Sequence, residues 1–383
     1  MGASVLVLGG GVGGSVVATE LRRLLPAGHR ITLVERGDRF VLGASLLRVI
    51  VGEQRPDEIT RPAAALSRRG IELVTANVER IEPARRNAAI AGRELEADHL
   101  VIALGAELEP SVVPGLADAG CSFYTLEGAV ALRDALARID GGRVVVLTAE
   151  PAYKCPAAPY EAAMLIEWTL RRRGVRAKVP VDLYAAEPMP MGVAGPKVST
   201  AVRELLAAKG IAYHQDHQVV RADAAGRRLH FANGAEAAYD LLAFVAPHRA
   251  PRVVREAGLT GESGWIPVDR STLRTRFDRV WAIGDVTGIP LKVGKPLPKA
   301  ATFASGQAAV VARAIAAQVT GGAPAEPYAG MGECWVETGD GVAAHGHGDF
   351  FADPVPSVSL DAPSADARSA KEAWEREWLE HWS

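Results

Sequence analysis

The segment Ser4–Leu8 is a near-continuous apolar run, the pattern of a strand buried on both faces of a parallel sheet. A glycine-rich stretch, Gly9–Gly14, follows it, and Ser15–Leu25 then carries apolar residues at helical spacing. Ile31–Val34 is a second short apolar strand and ends in Glu35. Strand, glycine turn, helix, strand and acid together make a βαβ unit. A second unit with the same grammar begins at Arg143–Leu147, continues in a helix over Tyr160–Arg173 closed by Gly174, and returns in a strand at Val181–Ala185 before Glu187. The chain therefore reads as an α/β fold containing a diverged internal duplication. Further strands are predicted at Glu236–Phe244 and Phe277–Ile283, and a long helix over Ala300–Val319, closed by Thr320–Gly322. The last 60 or so residues change character, with glycine- and proline-rich stretches, alternating short runs and a terminal helix over Ser369–Trp382.

Composition narrows the functional classes. The chain has 383 residues, 48% hydrophobic and 23% charged, enough for two or three globular domains. A formal net charge of -2 supplies no field to attract nucleic acid. Three cysteines cannot make a secretory disulfide framework. There is no long uncharged apolar run, and the chain opens directly into a strand pattern, so a cytoplasmic location is expected.

Gly9-x-Gly11-x-x-Gly14, with Val12 and Gly13 inside it, permits a tight turn and close approach of backbone to a pyrophosphate. The helix that follows points its positive end at the phosphates. Glu35, 21 residues beyond Gly14, is placed to accept bonds from ribose hydroxyls and to repel a 2′-phosphate. These residues specify a dinucleotide, with FAD and NAD both open. Two more strand-to-turn segments follow, Leu100–Gly105 and Val280–Asp285. With them the chain resembles the FAD-containing pyridine nucleotide–disulfide oxidoreductases. The resemblance implies two Rossmann-like dinucleotide-binding domains of glutathione-reductase type and a small C-terminal domain. FAD is expected against Arg36, Val78, Ala103, Gly105 and Gly284, with Asp285 on its ribityl or phosphate groups. The expected division is 1–110 with 240–325 for FAD, 111–239 for the second domain, and 326–383 for the third.

The second unit lacks its glycine loop. After Val144–Leu147 the chain reads Thr148-Ala-Glu-Pro-Ala-Tyr-Lys-Cys155-Pro-Ala-Ala-Pro159, with three stiffening prolines and with Glu150, which would repel a pyrophosphate. A nicotinamide cofactor is disfavoured there. Cys155 stands in the vacated space, just ahead of a helix N-terminus and beside Lys154, where a thiolate is expected to be favoured.

Cys155-Pro-Ala-Ala-Pro-Tyr-Glu161 resembles a segment of sulfide:quinone oxidoreductases and of the flavoprotein subunit of flavocytochrome c sulfide dehydrogenases. Gly294–Lys299, Phe303, Gln307, Tyr328–Gly330 and Cys334 follow in that family's order. The resemblance implies that Cys155 and Cys334 lie on one flavin face and handle bound sulfur, that Glu161 carries a proton, and that Lys299 precedes a helix aimed at the flavin. Chemically, hydrosulfide attacks a disulfide to leave a persulfide and a thiolate, and two electrons pass on to the flavin and then to a quinone. An NAD(P)H-dependent flavin reductase and a flavoprotein that keeps FAD for a structural, partner-binding role stand as alternatives.

Phe40–Ser45 contains no cysteine, so the FAD is expected to be non-covalent. Cys121 has no histidine four residues on and reads as a packing residue. His345 and His347, without a nearby acid cluster or cysteine, read as a solvated turn rather than metal ligands. Trp374, Trp378 and Trp382 share a face of the terminal helix, expected to pack on the protein's own body or a twin subunit, with peripheral contact to a membrane as the alternative. Lys371 and Glu375 are assigned to the opposite, solvated face.

Overall fold

A computed structural model describes residues 2–383. Two five-stranded parallel sheets organise it. The first has the order Val280–Ala282, His99–Ile102, Ser4–Leu8, Arg30–Glu35, Glu72–Thr75. Val5–Leu8 at its centre is at most 2% exposed, and it pairs with both neighbours in register (Val7 with Leu33 and with Val101). The helices Val12–Leu24 and Ala301–Thr320 pack against each other beside this sheet. The contact is close because Gly13 lacks a side chain. A Cβ there would lie 3.2 Å from Ile283 and 3.6 Å from Ala304.

The second sheet has the order Cys121–Ser122, Leu241–Val245, Val144–Thr148, Val181–Ala185, Ala212–His214. Every residue of Val144–Thr148 and Val181–Ala185 is buried, which fits their apolar character; Asp182, the one charge among them, is paired with Arg143. The helix Ala158–Arg172 covers this sheet and is buried over most of its length. One boundary in the sequence reading needs correction. Leu241–Val245 pairs with Val144–Thr148, so the chain is still in the second sheet at 245, although 240 onward was assigned to the first domain. A lone parallel strand carries no mark of which sheet it joins, because its partners are set by tertiary contact.

The C-terminal segment forms a three-stranded antiparallel sheet, Met331–Gly339, Val342–Asp349, Ser357–Leu360, followed by the helix Ala365–His381. The helix begins four residues before Ser369 because the Ser364 hydroxyl accepts the Ala367 N–H at 3.1 Å and caps it. Its tryptophans settle onto the first sheet's domain. Trp382 is 2% exposed, stacks on Phe40 with centroids 5.2 Å apart, and donates its indole N–H to Ser15 at 2.9 Å. The expected packing on the protein's own body holds for Trp378 and Trp382, which are buried, while Trp374 at the head of the stripe is half-buried. The assignment of Lys371 and Glu375 to the opposite, solvated face is corrected. Both are buried and lie on the inward stripe with Trp378 and Trp382, at helical spacings of four, three and four. Among the described residues, no helix is long and apolar enough to cross a membrane.

Candidate functional site

The first βα turn is shaped as a cradle. Gly9 has φ +99°, and a Cβ on it would come within 2.4 Å of the Ala103 carbonyl oxygen. A Cβ on Gly14 would lie 1.7 Å from the Gly9 carbonyl, so only glycine closes this turn. Gly11 instead faces open space, with nothing within 4 Å of where its Cβ would stand. It begins the helix Val12–Leu24, whose first-turn amides receive no side-chain cap. Glu35 closes the other side. Its carboxylate accepts N–H groups from Gly10 at 2.7 Å and Gly37 at 3.1 Å. Arg36 follows on the exposed surface. Val78 is half-buried against the apolar cluster that contains Leu8, Val34 and Ile102. Gly105, at φ +67°, turns the chain after His99–Ile102. These features fit a dinucleotide: uncapped amides, an open glycine and an acid at the strand end.

The opposite side of the cradle is set by Val280–Ala282 and the turn beyond it. Gly284 has φ +72° and donates its N–H to the buried Gln307 side chain at 2.7 Å, which ties the turn to the helix Ala301–Thr320. Burial pushes the Asp285 carboxyl up, while Lys154 and Lys299 oppose the rise. The Lys299 ammonium donates to the carbonyls of Asp285 at 2.7 Å and Thr287 at 2.9 Å. It also stands 3.5 Å from the centre of the Trp265 ring. Burial lowers its pKa to about 8.

Cys155 sits where the second unit's glycine loop would be. Its φ of 49° is left-handed, which is costly for a residue with a Cβ and is found mostly where surrounding contacts impose it. Those contacts are visible. The Cys155 N–H donates to the Lys299 carbonyl at 2.6 Å, and Tyr124 donates its hydroxyl to the carbonyls of Lys154 at 2.8 Å and Cys155 at 3.2 Å. The cysteine loop is thus pinned to the segment that carries Lys299. Cys334 reaches the same region on the strand Met331–Gly339. Each thiol keeps part of its surface accessible, yet both are deep in protein. Burial, then the charge of Glu161, raises Cys155 to about 12. Burial raises Cys334 as well, with Cys155 and then Glu161 adding to it. Both cysteines pack against one apolar core, and the Glu337–Glu161 hydrogen bond at 3.0 Å ties the strand of Cys334 to the helix that follows Cys155. The expectation that Lys154 and the helix favour a thiolate at Cys155 is corrected: desolvation outweighs the opposing pull of Lys371 and of the Ala158 N–H in the helix's first turn.

Glu161, in the first turn of Ala158–Arg172, is 1% exposed. Its Oε1 accepts the Glu337 N–H at 3.0 Å and the Lys371 ammonium at 3.1 Å. Burial raises its pKa, Lys371 opposes the rise, and Glu337 adds to it. Glu337 is fully buried and meets Arg48 at 3.0 Å, Lys371 at 3.4 Å and Arg368 at 3.5 Å. Burial works against its charge, but Lys371, Arg48 and Arg368 hold it below the usual range. Arg48 also pairs with Glu375 at 3.2 Å. Sequence reasoning missed Arg48, Glu337, Lys371 and Glu375. The helical stripe 371, 375, 378, 382 was the available signal, since it puts two charges among tryptophans that must be buried.

In the second unit, Glu187 ends Val181–Ala185 as Glu35 ends Arg30–Glu35. Its carboxylate is already taken by the hydroxyls of Tyr153 at 2.5 Å, Tyr160 at 2.8 Å and Thr148 at 2.8 Å. Glu150 does not present a bare charge, contrary to expectation, because Arg249 grips it at 2.7 and 3.1 Å. The occupied Glu187 and the proline-stiffened loop thus set this unit apart from the first, whose glycine turn is open. An apolar cleft of about 470 Å³ runs beside the second unit, lined by Tyr153, Pro156, Met191, Leu297, Phe303 and Cys334 among others. Cys121 packs against the apolar core from its strand pairing with Ala243. His345 and His347 lie on a strand rather than a turn, and Glu333 and Asp361 approach them, which corrects the expectation that no cluster of acids lies near.

Residues 3–308 match the family described as pyridine nucleotide-disulphide oxidoreductase. The chain is 28% identical over 376 residues to the sulfide-quinone reductase of Aquifex aeolicus, covering 93% of this chain and 84% of that protein. It is 24% identical over 370 residues to the mitochondrial sulfide:quinone oxidoreductase of Mus musculus, covering 93% and 80%. The solved structure of the Aquifex aeolicus sulfide:quinone oxidoreductase superposes with a TM-score of 0.88 at 25% identity, covering 99% of this chain and 91% of that one.

Proposed function

The chain belongs to the pyridine nucleotide-disulphide oxidoreductase family, and we propose that it oxidises sulfide, or a related small sulfur species, and passes the electrons to a quinone through FAD. The observation that carries this reading is Cys155, held at φ 49° by Lys299 and Tyr124 in place of a dinucleotide loop and packed against the same apolar core as Cys334. FAD would be held non-covalently by Gly9, Gly11, Val12, Gly13, Gly14, Glu35, Arg36, Val78, Ala103, Gly105, Gly284, Asp285 and Lys299. When bound, it supplies acceptance of two electrons and their delivery to the quinone.

The chain's own residues supply the sulfur chemistry. In the oxidised protein Cys155 and Cys334 are joined by a disulfide. Hydrosulfide attacks one sulfur, the S–S bond breaks, one cysteine becomes a persulfide, and the other leaves as a thiolate. Thiols raised this far by burial are poor leaving groups unless the developing charge is met. Lys371 opposes the rise at both cysteines, and Glu161, raised and buried, holds or releases the accompanying proton. Lys299 fixes the loop of Cys155 through its carbonyl. The apolar cleft ending at Cys334 admits a neutral or weakly hydrated sulfur species while limiting water.

The test is anaerobic mixing of FAD-loaded protein with sulfide while the flavin absorbance is followed. Rapid stoichiometric bleaching is expected, and Cys155→Ser and Cys334→Ser should each slow it by orders of magnitude with FAD still bound. Full-rate bleaching in Cys155→Ser would remove the cysteine mechanism.

A further inference from the structure

The outer face of the C-terminal sheet collects four ligand-type side chains that the sulfur chemistry does not use. Strand alternation places His345 and His347 on one face of Val342–Asp349, with Cys334 on the alternate face of the neighbouring strand. Glu333 lies directly opposite His347, and Trp335 directly opposite His345. On the other side, the Asp361 N–H donates to the His345 carbonyl at 2.9 Å and continues the register of Ser357–Leu360. Three adjacent strands thus deliver Glu333, His345, His347 and Asp361 to one patch. One ligating atom from each of His345, His347 and Asp361 lies within 4.8 Å of the other two.

We propose that this patch binds a divalent transition-metal ion of the zinc class, with His345, His347 and Asp361 as ligands. Two imidazoles and one carboxylate suit zinc-like ions and disfavour calcium and magnesium, which prefer all-oxygen sets. Metal–ligand bonds of roughly 2.0–2.2 Å in a tetrahedron put ligand atoms about 3.3–3.6 Å apart, so the side chains must close by about an ångström. His347 and Asp361, with side chains 50% and 58% exposed, are free to do so around the more fixed His345.

Two contacts pre-arrange the set. Glu333 Oε2 lies 3.0 Å from His345 Nε2, the carboxylate partner that fixes a metal-binding histidine's tautomer and leaves its other nitrogen the lone pair. Trp335 stacks on the His345 ring, with centroids 5.1 Å apart and planes 19° apart. The fourth coordination position is left to water. An ion here would clasp the two strands that carry His345, His347 and Asp361, beside the strand that carries Cys334.

The experiment uses FAD-loaded protein stripped with a chelator and dialysed against ZnCl₂, with bound zinc counted by mass spectrometry of the metal. One zinc per chain is expected. His347→Ala and Asp361→Asn, both at exposed positions, should each weaken binding by at least the roughly 10–100-fold that losing an outer-shell partner costs. The Cys155→Ser/Cys334→Ser double variant should keep its zinc, which separates this site from capture by thiols. Absence of saturable binding, unchanged binding in both histidine and aspartate variants, or loss of zinc with the cysteines would each overturn the proposal.

Discussion

Glu161 and Lys371, 210 residues apart in sequence, meet with Oε1 3.1 Å from Nζ and only 2% and 5% of their side chains accessible. The pair joins the helix behind Cys155 to the terminal helix, and Glu337 and Arg48 enclose it. A charge buried this deeply is tolerable only with its partner present.

Lys371→Met should therefore cost about 3–5 kcal/mol, the usual penalty for stranding a buried carboxylate. Urea unfolding would measure it, and a loss under about 1 kcal/mol would show that the pair is not closed in solution. The pH dependence has two limbs. Lys371 is raised above 10.5, so its stabilisation is present below that pH and is lost as the pH climbs through the folded value. Glu337 is held below 4.5, so its stabilisation is present above that pH and is lost as the pH falls through the folded value. Glu161, raised above 4.5, runs the other way and favours the fold when protonated. Glu337→Gln should flatten the acid limb of Tm against pH.

The Cys155 thiol, raised to about 12, should be almost wholly protonated at neutral pH in the reduced, FAD-free chain. Its alkylation by iodoacetamide is expected to keep accelerating above pH 9. A rate that levels off near pH 7 would mean that Lys154 does stabilise the thiolate after all.

NADH and NADPH should leave the flavin oxidised on the timescale of sulfide bleaching. Glu187 already accepts three hydroxyls, and the loop from Glu150 to Pro159 has no glycine to bring backbone near a pyrophosphate. Stopped-flow mixing decides this, and prompt bleaching by NADH would promote a reductase role instead.

Trp382→Ala should destabilise the protein by about 3–5 kcal/mol, since it empties a buried stack on Phe40 and removes the indole N–H that the Ser15 hydroxyl accepts. Anionic vesicles should not shift the tryptophan emission of the parent protein, because Trp378 and Trp382 are buried on the protein itself. A blue shift on vesicle addition would reopen a membrane role for the terminal helix.

Local chemistry made much of this protein legible from the residues alone. The first βαβ unit is dictated by steric facts that act within a few residues: a glycine where a Cβ would strike a carbonyl, an apolar run that must be buried on both faces, an acid at the strand's end. The degenerate second loop was legible for the same reason. Tertiary structure alone decided what depends on who meets whom across hundreds of residues. The strand Leu241–Val245 joined the second sheet, and Glu187 was taken by Tyr153 and Tyr160. Lys371, Glu375, Glu337 and Arg48 became a buried ionic cluster, and Asp361 came beside His345 and His347. Charge interactions and desolvation depend on distances and burial that spacing along the chain does not encode, so the protonation of Cys155 could be read only once its surroundings were assembled.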